Sequence, residues 1–522
     1  MRTISRRGFI ATSGAALGAL PLIRSIDTLA QAANPVFQHG VASGDPLGDR
    51  VILWTRVTTP KPAPAVPVAW QIALDAKFTR TVARGELVTG PARDFTVKVD
   101  AVGLEPGTTY YYRFQAANGQ SPLGRTRTLP PSGVSRIRLG VVSCSNLPFG
   151  YFNAYACLAN RADLDAILHL GDYIYEYKNG DYGDGTKLGR IPMPDKEIVA
   201  LQDYRGRHAT YKLDPDSQEC HRQHPFITTW DDHEFANNSW SGGAENHDPE
   251  NGEGDWWARR AAATQAFFEW MPIRDDGQAL AARVYRTFSF GDLATLYMLD
   301  TRIIGRDQQA NAKDVAAVAS PTRSLLGAAQ ENWLAGELAA GLRNKTHWNV
   351  LGQQVMFAPQ SAPGTVGANP DSWDGYRGAR DRMFDTIEQQ KINNLVVLTG
   401  DVHSSWAYDL PRRPYDAGYD RKSGKGSLGV EFAGTSITSP SNLGVGPEGQ
   451  KRLADVMAGR PHLHYADGRY RGYFVLDLTR ERLQADFYGV ATVQERSTKE
   501  RFEKGFISES GGNHLIEASS PA

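Results

Sequence analysis

The chain has 522 residues, and at about 150 residues per domain this length predicts more than one folded unit. Such a length excludes a small disulfide scaffold, and 41% hydrophobic residues exclude wholesale disorder. The 57 Lys and Arg residues nearly balance the 58 Asp and Glu residues, which gives a net charge of -1. The sequence therefore predicts no excess of positive charge that would attract nucleic acid and no nucleic-acid-binding patch. Any chemistry that depends on charge must rely on charged residues gathered at a local site.

Residues 1–32 are predicted to be a twin-arginine export signal. The sequence Ser-Arg-Arg-Gly-Phe-Ile at residues 5–10 precedes a weakly apolar run, and Ala-Gln-Ala at residues 30–32 is typical of a cleavage site. The alternative is a transmembrane anchor, but the run is too short and too rich in Gly and Ala to supply the roughly 20 apolar residues needed. We expect the twin-arginine machinery to export the chain to the periplasm or the medium, with no membrane span in the mature form.

Residues 33–132 are predicted to form a β-sandwich of the fibronectin-III type. Short alternating runs such as 51–54 and 69–74 lack helical periodicity. A Pro-Gly turn at 106–107 leads into the aromatic strand 110–113, as at a corner of such sandwiches. The sequence Pro-Pro-Ser-Gly at 130–133 then marks the end of this domain.

Residues 133–497 are predicted to form a layered α/β domain, in which apolar strands alternate with helices. The patterns indicate strands at 139–142, 166–170, 226–230 and 395–399, and helices at 255–270, 328–343 and 379–391. Alternation at 473–478 and 483–487 predicts a hairpin. Residues 498–522 are charged and lack a strong pattern, so they are predicted to be a C-terminal tail.

Each of the four apolar strands is followed by side chains that are able to bind metal. Because sites in open α/β sheets gather beyond the carboxyl ends of the strands, we expect one shared site. A single Asp in such a place is more often a helix cap or turn former, but the combined set is hard to explain in that way. The predicted ligands, in chain order, are Cys144, Asp172, Tyr175, Asp232, Asp401 and His403.

The donor atoms of this set indicate two unlike metal positions. Cys144, Tyr175 and His403 offer sulfur, phenolate oxygen and nitrogen, which suit a transition metal such as iron. Two of the carboxylates offer only hard oxygens, which suit calcium or magnesium, while Asp172 is able to bridge both positions. An unperturbed Tyr keeps its proton to about pH 10, so a phenolate ligand favours the strongly Lewis-acidic Fe(III) over Zn(II).

The motifs around these residues resemble those of the PhoD-type alkaline phosphatases and phosphodiesterases of the metallophosphoesterase superfamily. The resemblance covers nearly the whole chain and rests on the loops at 143–145, 171–175, 231–234 and 400–403. The chain departs from the general superfamily, since Cys144 stands in the first Asp-x-Gly-x-His loop and Asp401 replaces the first His of Gly-His-x-His. These departures match the PhoD-type branch and favour calcium in the second position.

By this resemblance, one iron ion and one or two calcium ions form the cofactor. His233 is expected to face the phosphate, where it stabilises the phosphoryl oxygens or protonates the leaving group. Asn238 and Arg377 are further catalytic candidates, although Asn238 is equally typical of a turn and Arg377 of a structural loop. The resemblance assigns Fe(III) to Cys144, Asp172, Tyr175 and His403, and Ca(II) to Asp172, Asp232 and Asp401.

We therefore predict an exported, metal-dependent alkaline phosphatase that hydrolyses phosphate monoesters, and also diesters, by attack of a metal-bound hydroxide. A phosphodiesterase or phospholipase-D-like enzyme of the same family is the first alternative. A non-catalytic exported calcium-binding protein is the second. Two structural interpretations accompany this prediction: Cys157 and Cys220 either form a disulfide or remain buried thiols, and the sequence at 300–302 forms a structural ion pair.

Overall fold

The computed structural model describes residues 35–59, 63–275, 283–361, 365, 369–441, 443 and 445–522. The export signal predicted for residues 1–32 lies outside the described residues. Within them, no helix is both long enough and apolar enough to cross a membrane.

The strands and helices follow the predicted order along the chain. The helices predicted at 255–270, 328–343 and 379–391 differ from their observed bounds by at most two residues. The strands are β1 Val41–Gly44, β2 Arg50–Arg56, β3 Val66–Ala73, β4 Thr81–Thr89, β5 Thr96–Val102, β6 Thr109–Ala116, β7 Gly119–Gln120, β8 Gly124–Arg127, β9 Ile137–Val142, β10 Ala166–His169, β11 Pro225–Thr228, β12 Arg286–Phe290, β13 Ala294–Met298, β14 Trp348–Gln353, β15 Leu395–Thr399, β16 Ser405–Pro411, β17 Ser427–Ala433, β18 Leu463–Asp467, β19 Gly472–Leu478, β20 Arg482–Val490, β21 Glu500–Glu509 and β22 Ile516–Ala518. The helices are α1 Asn153–Ala159, α2 Leu201–Lys212, α3 Pro215–Gln223, α4 Trp256–Trp270, α5 Val315–Ala319, α6 Gly327–Arg343, α7 Arg377–Gln390 and α8 Gly446–Ala458.

The described strands form three sheets. The ten-stranded sheet has the order β22-β21-β20-β19-β9-β10-β11-β1-β2-β5, and the seven-stranded sheet has the order β12-β13-β14-β15-β17-β16-β18. The five-stranded sheet has the order β4-β3-β6-β7, with β8 paired to β6. Strands β9, β10 and β11 lie side by side and parallel in the first sheet, whereas β15 lies in the second. The four predicted apolar strands are thus confirmed, but they belong to two sheets.

An extensive apolar cluster lies between the ten-stranded and seven-stranded sheets. Leu139, Leu168 and Ile227 of the first sheet share an apolar cluster with Val350 and Val396 of the second, and each is at most 1% exposed. Helices α1 to α4 cover the outer face of the first sheet, and α6 and α7 cover that of the second. Because both faces of the central strands are covered, their sequences are continuous apolar runs.

The N-terminal residues form a sandwich, one layer of which continues into the ten-stranded sheet. Strands β1, β2 and β5 pack against the five-stranded sheet around Leu53, Ile72 and Tyr112. The backbone N–H of Glu105 donates to the Tyr110 hydroxyl at 2.8 Å, which forms the predicted sandwich corner. Strand β1 also pairs in parallel with β11, so residues 33–132 share a sheet with residues 133–497. This join consists of backbone hydrogen bonds, which leave no pattern in the side chains.

Residues after 498, expected to be a tail, instead add two strands to the ten-stranded sheet. Strand β21 pairs with β20 and β22 pairs with β21, beyond the predicted hairpin of β19 and β20, which is confirmed. Many side chains of β21 are only partly buried, because this strand lies near the edge of the sheet. Charged residues are common on such strands, and they concealed the alternation.

The three cysteines are buried free thiols. Cys157 and Cys220 therefore take the second of the two states that the sequence allows. Cys144 lies directly after β9, at the end of the sheet where the predicted ligands gather.

Candidate active site and metal centre

The predicted ligands converge, although they follow strands of two different sheets. Cys144 follows β9, Asp172 follows β10 and His403 follows β15. One ligand atom from each of these three residues lies within 4.8 Å of the other two. The side chains expected to share one site therefore lie together. Two further groups meet the same distance, namely Asp172 with Asp232 and His233, and Asp231 with Asp232 and Asp401.

Several of these residues have a left-handed backbone conformation, which residues other than glycine rarely adopt. Such conformations cost about 1–3 kcal/mol each and cluster at functional sites. Gly171, which precedes Asp172, has a φ of 102°. A Cβ at this position would lie 2.4 Å from the Asp231 Cβ, so glycine allows the loop that carries Asp172 to approach the loop that carries Asp231. The left-handed site residues are Cys144, Asp172, Asn238, Asp401 and His403, with φ angles of 62°, 56°, 50°, 62° and 51°.

The softer donors surround the Tyr175 hydroxyl. This hydroxyl donates to Asp172 Oδ2 at 2.9 Å and lies 3.3 Å from His403 Nε2. His403 Nδ1 lies 3.1 Å from the Pro440 carbonyl oxygen, so a proton on Nδ1 leaves the Nε2 lone pair directed at the site. Burial and the Asp172 carboxylate raise the pKa of both the Cys144 thiol and the Tyr175 hydroxyl well above their usual values. These groups would thus need a strongly Lewis-acidic cation to lose their protons.

Buried carboxylate oxygens at the site are available to a cation. Within the described residues, Asp172 Oδ1, Asp231 Oδ2 and Asp232 Oδ1 are buried and accept no hydrogen bond. A buried polar atom without such a partner costs about 1–3 kcal/mol. Burial, reinforced by neighbouring carboxylates and opposed by Arg302, raises the pKa of Asp401 to about 7. Metal cations would satisfy these oxygens and offset the repulsion, so the residues present fit a metal centre.

One cation of the chain itself lies among these carboxylates. The Arg302 guanidinium is fully buried, pairs with Asp231, and lies 2.8 Å from Asp401 Oδ1 and 2.5 Å from Asp371 Oδ2. The sequence at 300–302 was interpreted as a structural ion pair, and Arg302 is indeed ion-paired. Its partners, however, are carboxylates of the site, while Asp300 accepts backbone N–H groups. The available signal was its position four residues beyond the end of the buried strand β13, which ends at Met298.

Glu234 joins two of the ligand loops. Its carboxylate accepts backbone N–H groups of Asp231 at 2.7 Å, Asp172 at 3.1 Å and Tyr173 at 2.5 Å. Burial and the Asp172 charge raise the pKa of Glu234 to about 8. The carboxylate thus fixes the relative position of the loops that carry Asp172 and Asp232.

His233 is held by a carboxylate that the sequence analysis did not select. His233 Nδ1 lies 2.7 Å from Glu176 Oε2, and the imidazole stacks on Tyr175 with ring centroids 4.2 Å apart. Burial lowers the pKa of His233, but the charges of Glu176, Asp232 and Asp172 outweigh burial and hold the pKa well above its usual value. The side chain is therefore suited to carry a proton. The signal for Glu176 was its position next to Tyr175 in a ligand loop.

The two other catalytic candidates differ in position. Asn238 lines the cavity at the site, its backbone N–H donates to Asp232 Oδ2 at 2.6 Å, and its amide donates to Glu245. Arg377 begins α7 and donates to the Thr365 carbonyl oxygen at 2.9 Å. The described lining of the cavity includes Asn238 and does not include Arg377.

The site opens into a cavity of about 450 Å³, a size typical of small-molecule sites. Its lining includes carboxylates and His233, and it also includes larger apolar surfaces. These surfaces belong to Tyr177, Tyr182, Trp406 and Leu443. The cavity therefore offers charged groups to a polar ligand and apolar surface to an organic one.

Comparisons with known proteins assign this arrangement to a family. A family model described as PhoD-like phosphatase matches residues 139–487, and one described as its N-terminal domain matches residues 24–130. The chain belongs to the PhoD-like phosphatase family. Alkaline phosphatase D of Bacillus subtilis (strain 168) is 39% identical, over 94% of this chain and 85% of the relative. A solved structure described as that of PhoD has a TM-score of 0.83 and 36% identity, over 94% of this chain and 93% of that chain.

Membership of the PhoD-like phosphatases confirms the predicted family, fold class and enzyme class. The chain is a phosphoric ester hydrolase with a phosphatase or phosphodiesterase function, and phosphate esters are its substrates. The alternative of a non-catalytic calcium-binding protein is therefore set aside. The clusters around Asp172 give this PhoD-like phosphatase a group of side chains that is able to bind metal.

Proposed function

We propose that this site holds Fe(III) beside one or two Ca(II) ions and hydrolyses phosphate monoesters, and also diesters. Asp172 lies both in the group with the softer donors Cys144 and His403 and in the group with the carboxylate of Asp232, and its Oδ1 accepts no hydrogen bond. This observation carries the proposal. The proposed ligands are Cys144, Asp172, Tyr175 and His403 for Fe(III), and Asp172, Asp232 and Asp401 for Ca(II).

When bound, these ions supply Lewis acidity and lower the pKa of coordinated water. The chain's own groups bind and orient the ester. His233, held by Glu176, lines the cavity and is able to stabilise phosphoryl oxygens or give a proton to the leaving oxygen. Arg302 offsets the charge of Asp401 and fixes its direction.

The lining of the cavity supports a small ester with an organic group. Its carboxylates and His233 are polar groups for the phosphoryl end, and Tyr182, Trp406 and Leu443 offer apolar contact to the alcohol part. A diester has a second organic group, which would use the same apolar surfaces. Values of kcat/KM for an aryl phosphate and for its diester test the preference. We expect the monoester to be the better substrate, and the reverse order would favour the phosphodiesterase alternative.

The metal assignment is tested by elemental analysis together with visible absorption of the pure protein. Thiolate and phenolate ligands on Fe(III) should give a charge-transfer band, with one iron per chain. The band should change or disappear in Tyr175→Phe and in Cys144→Ser. Tyr182→Phe is the matched control, because its ring centroid lies 5.9 Å from that of Tyr175 but it is not a proposed ligand. A colourless, iron-free and fully active enzyme would overturn the iron assignment.

We also propose that the precursor uses the twin-arginine machinery to reach the periplasm or the medium. The proposal is supported by Arg6 and Arg7 within the sequence at 5–10 and by the Ala-Gln-Ala sequence at 30–32. Replacement of both arginines by lysine should leave the chain inside the cell in a fractionation experiment. Normal export of that variant would contradict the proposal.

A further inference from the structure

A second group of metal-binding side chains lies at the other end of β16 from His403. Asp409 belongs to β16, His464 belongs to β18, and His514 lies between β21 and β22. One ligand atom from each of these three residues lies within 4.8 Å of the other two. His514 Nδ1 lies 2.7 Å from Asp409 Oδ2, and His464 Nε2 lies 3.2 Å from the same oxygen.

The arrangement is buried and incompletely satisfied. The Asp409 side chain is fully buried, and those of His464 and His514 are 11% and 14% exposed. Within the described part of the chain, His464 Nε2 is a buried atom with no hydrogen-bond partner, although it lies 3.2 Å from Asp409 Oδ2. Such an atom costs free energy unless a cation or a donor satisfies it. A shared cation would satisfy both imidazoles and the carboxylate at once.

The surroundings hold these groups in place. The Leu515 backbone N–H donates to Asp409 Oδ1 at 2.9 Å, which leaves Oδ2 facing the imidazoles. The Tyr419 hydroxyl also donates to Oδ2 at 2.9 Å. Gly424, at a φ of 68°, lies so close that a Cβ there would be 2.3 Å from the His514 Cβ, so its loop packs directly on the histidine. Groups that orient ligands in this way are typical of metal sites.

We propose that Asp409, His464 and His514 bind a zinc ion, separate from the catalytic centre. Two imidazole nitrogens and a carboxylate oxygen suit zinc, whereas calcium and magnesium prefer oxygen alone. Zinc bonds of about 2.0–2.2 Å require ligand atoms about 3.3 Å apart, so the 2.7 Å contact of His514 with Asp409 Oδ2 would lengthen by about 0.6 Å and the 3.2 Å contact of His464 by about 0.1 Å. The ion would link the segment between β21 and β22, of the ten-stranded sheet, to β16 and β18 of the seven-stranded sheet.

Zinc stoichiometry tests this proposal. The protein is treated with a chelator, reloaded with Zn(II), freed of excess metal by gel filtration and analysed for zinc per chain. Because the catalytic centre is also able to take zinc, the informative quantity is the difference between variants. His514→Gln should hold one zinc fewer per chain than wild type. The matched control is His347→Gln, since His347 Nε2 contacts Ser510 Oγ at 3.0 Å in the same C-terminal segment without belonging to the cluster.

A second variant and a second readout guard against loss of folding. His464→Gln should also hold one zinc fewer, and added Zn(II) should raise the Tm of wild type and of His347→Gln more than that of either cluster variant. Co(II) in place of zinc should give visible bands that weaken in His514→Gln. Equal zinc content in wild type and His514→Gln, with equal Co(II) spectra, would overturn the proposal and leave a hydrogen-bonded Asp-His pair without metal.

Discussion

The contact between Glu176 and His233 allows one part of the proposed catalytic machinery to be tested by a small change. Glu176 is completely buried, and its Oε2 lies 2.7 Å from His233 Nδ1. Its Oε1 accepts the Asn237 backbone N–H at 2.6 Å and the Asn246 amide at 2.9 Å. In Glu176→Gln, the amide oxygen is able to keep the second set of hydrogen bonds, while an uncharged NH₂ group faces His233. The change therefore removes the charge and keeps the shape.

The expected loss follows from the strength of that contact. A hydrogen bond that involves charged groups contributes about 1.5–3 kcal/mol. Since about 1.4 kcal/mol corresponds to a factor of ten in rate, kcat should fall by about 10- to 150-fold. KM should change less, because Glu176 is not among the described residues that line the cavity. Cations bound by Asp172 and Asp232 would offset the charges of those residues, which leaves Glu176 as the main group that raises the pKa of His233.

The assay is kcat and KM on an aryl phosphate across the alkaline range, together with metal content per chain. Loss of the Glu176 charge lowers the pKa of His233, so the decline of kcat with rising pH should begin at a lower pH in Glu176→Gln. Glu197→Gln is the control, because Glu197 contacts the same Asn246 at 3.2 Å but pairs with Arg259. A metal-loaded Glu176→Gln enzyme with wild-type kcat and pH profile would refute the reasoning.

Three further changes test other parts of the molecule. Asp172→Asn should lose bound metal and activity together, because Asp172 belongs to both donor groups; a metal-free variant with full activity would contradict this. Arg302→Met should lower the free energy of unfolding of chelator-treated protein by about 3–5 kcal/mol, because it leaves buried carboxylates unpaired. The decrease should be smaller in metal-loaded protein, where cations also offset these charges. Equal decreases in both forms, measured by urea unfolding, would argue against a role that Arg302 shares with the metal ions. Burial raises the pKa of Glu431 from 4.5 to about 7, so a stabilisation of about 3 kcal/mol that is present below pH 4.5 is lost as the pH rises through 7. Glu431→Gln should flatten this part of the stability profile in thermal unfolding, and an unchanged profile would identify another source.

Local sequence was sufficient for the strands and for the position of the proposed ligands that follow them. Strands buried on both faces need continuous apolar runs, and such runs are readable in a single chain. Cys144, Asp172 and Asp401 follow the ends of these strands within a few residues, so chain connectivity alone placed them at one end of the sheets. The motifs around these residues also identified the family, which the comparisons confirm.

The remaining features depend on contacts between distant parts of the chain. Arg302 meets Asp231 and Asp401 across 71 and 99 residues, and Glu176 meets His233 across 57. The division of the strands between two sheets, the pairing of β1 with β11 and the addition of β21 and β22 are likewise long-range. Backbone pairing at strand edges is nearly independent of side-chain identity, and a buried charge is explained by its partner rather than by its neighbours in sequence. The sequence by itself determined that the proposed ligands lie beyond the ends of the strands, whereas the tertiary structure decided which groups orient them.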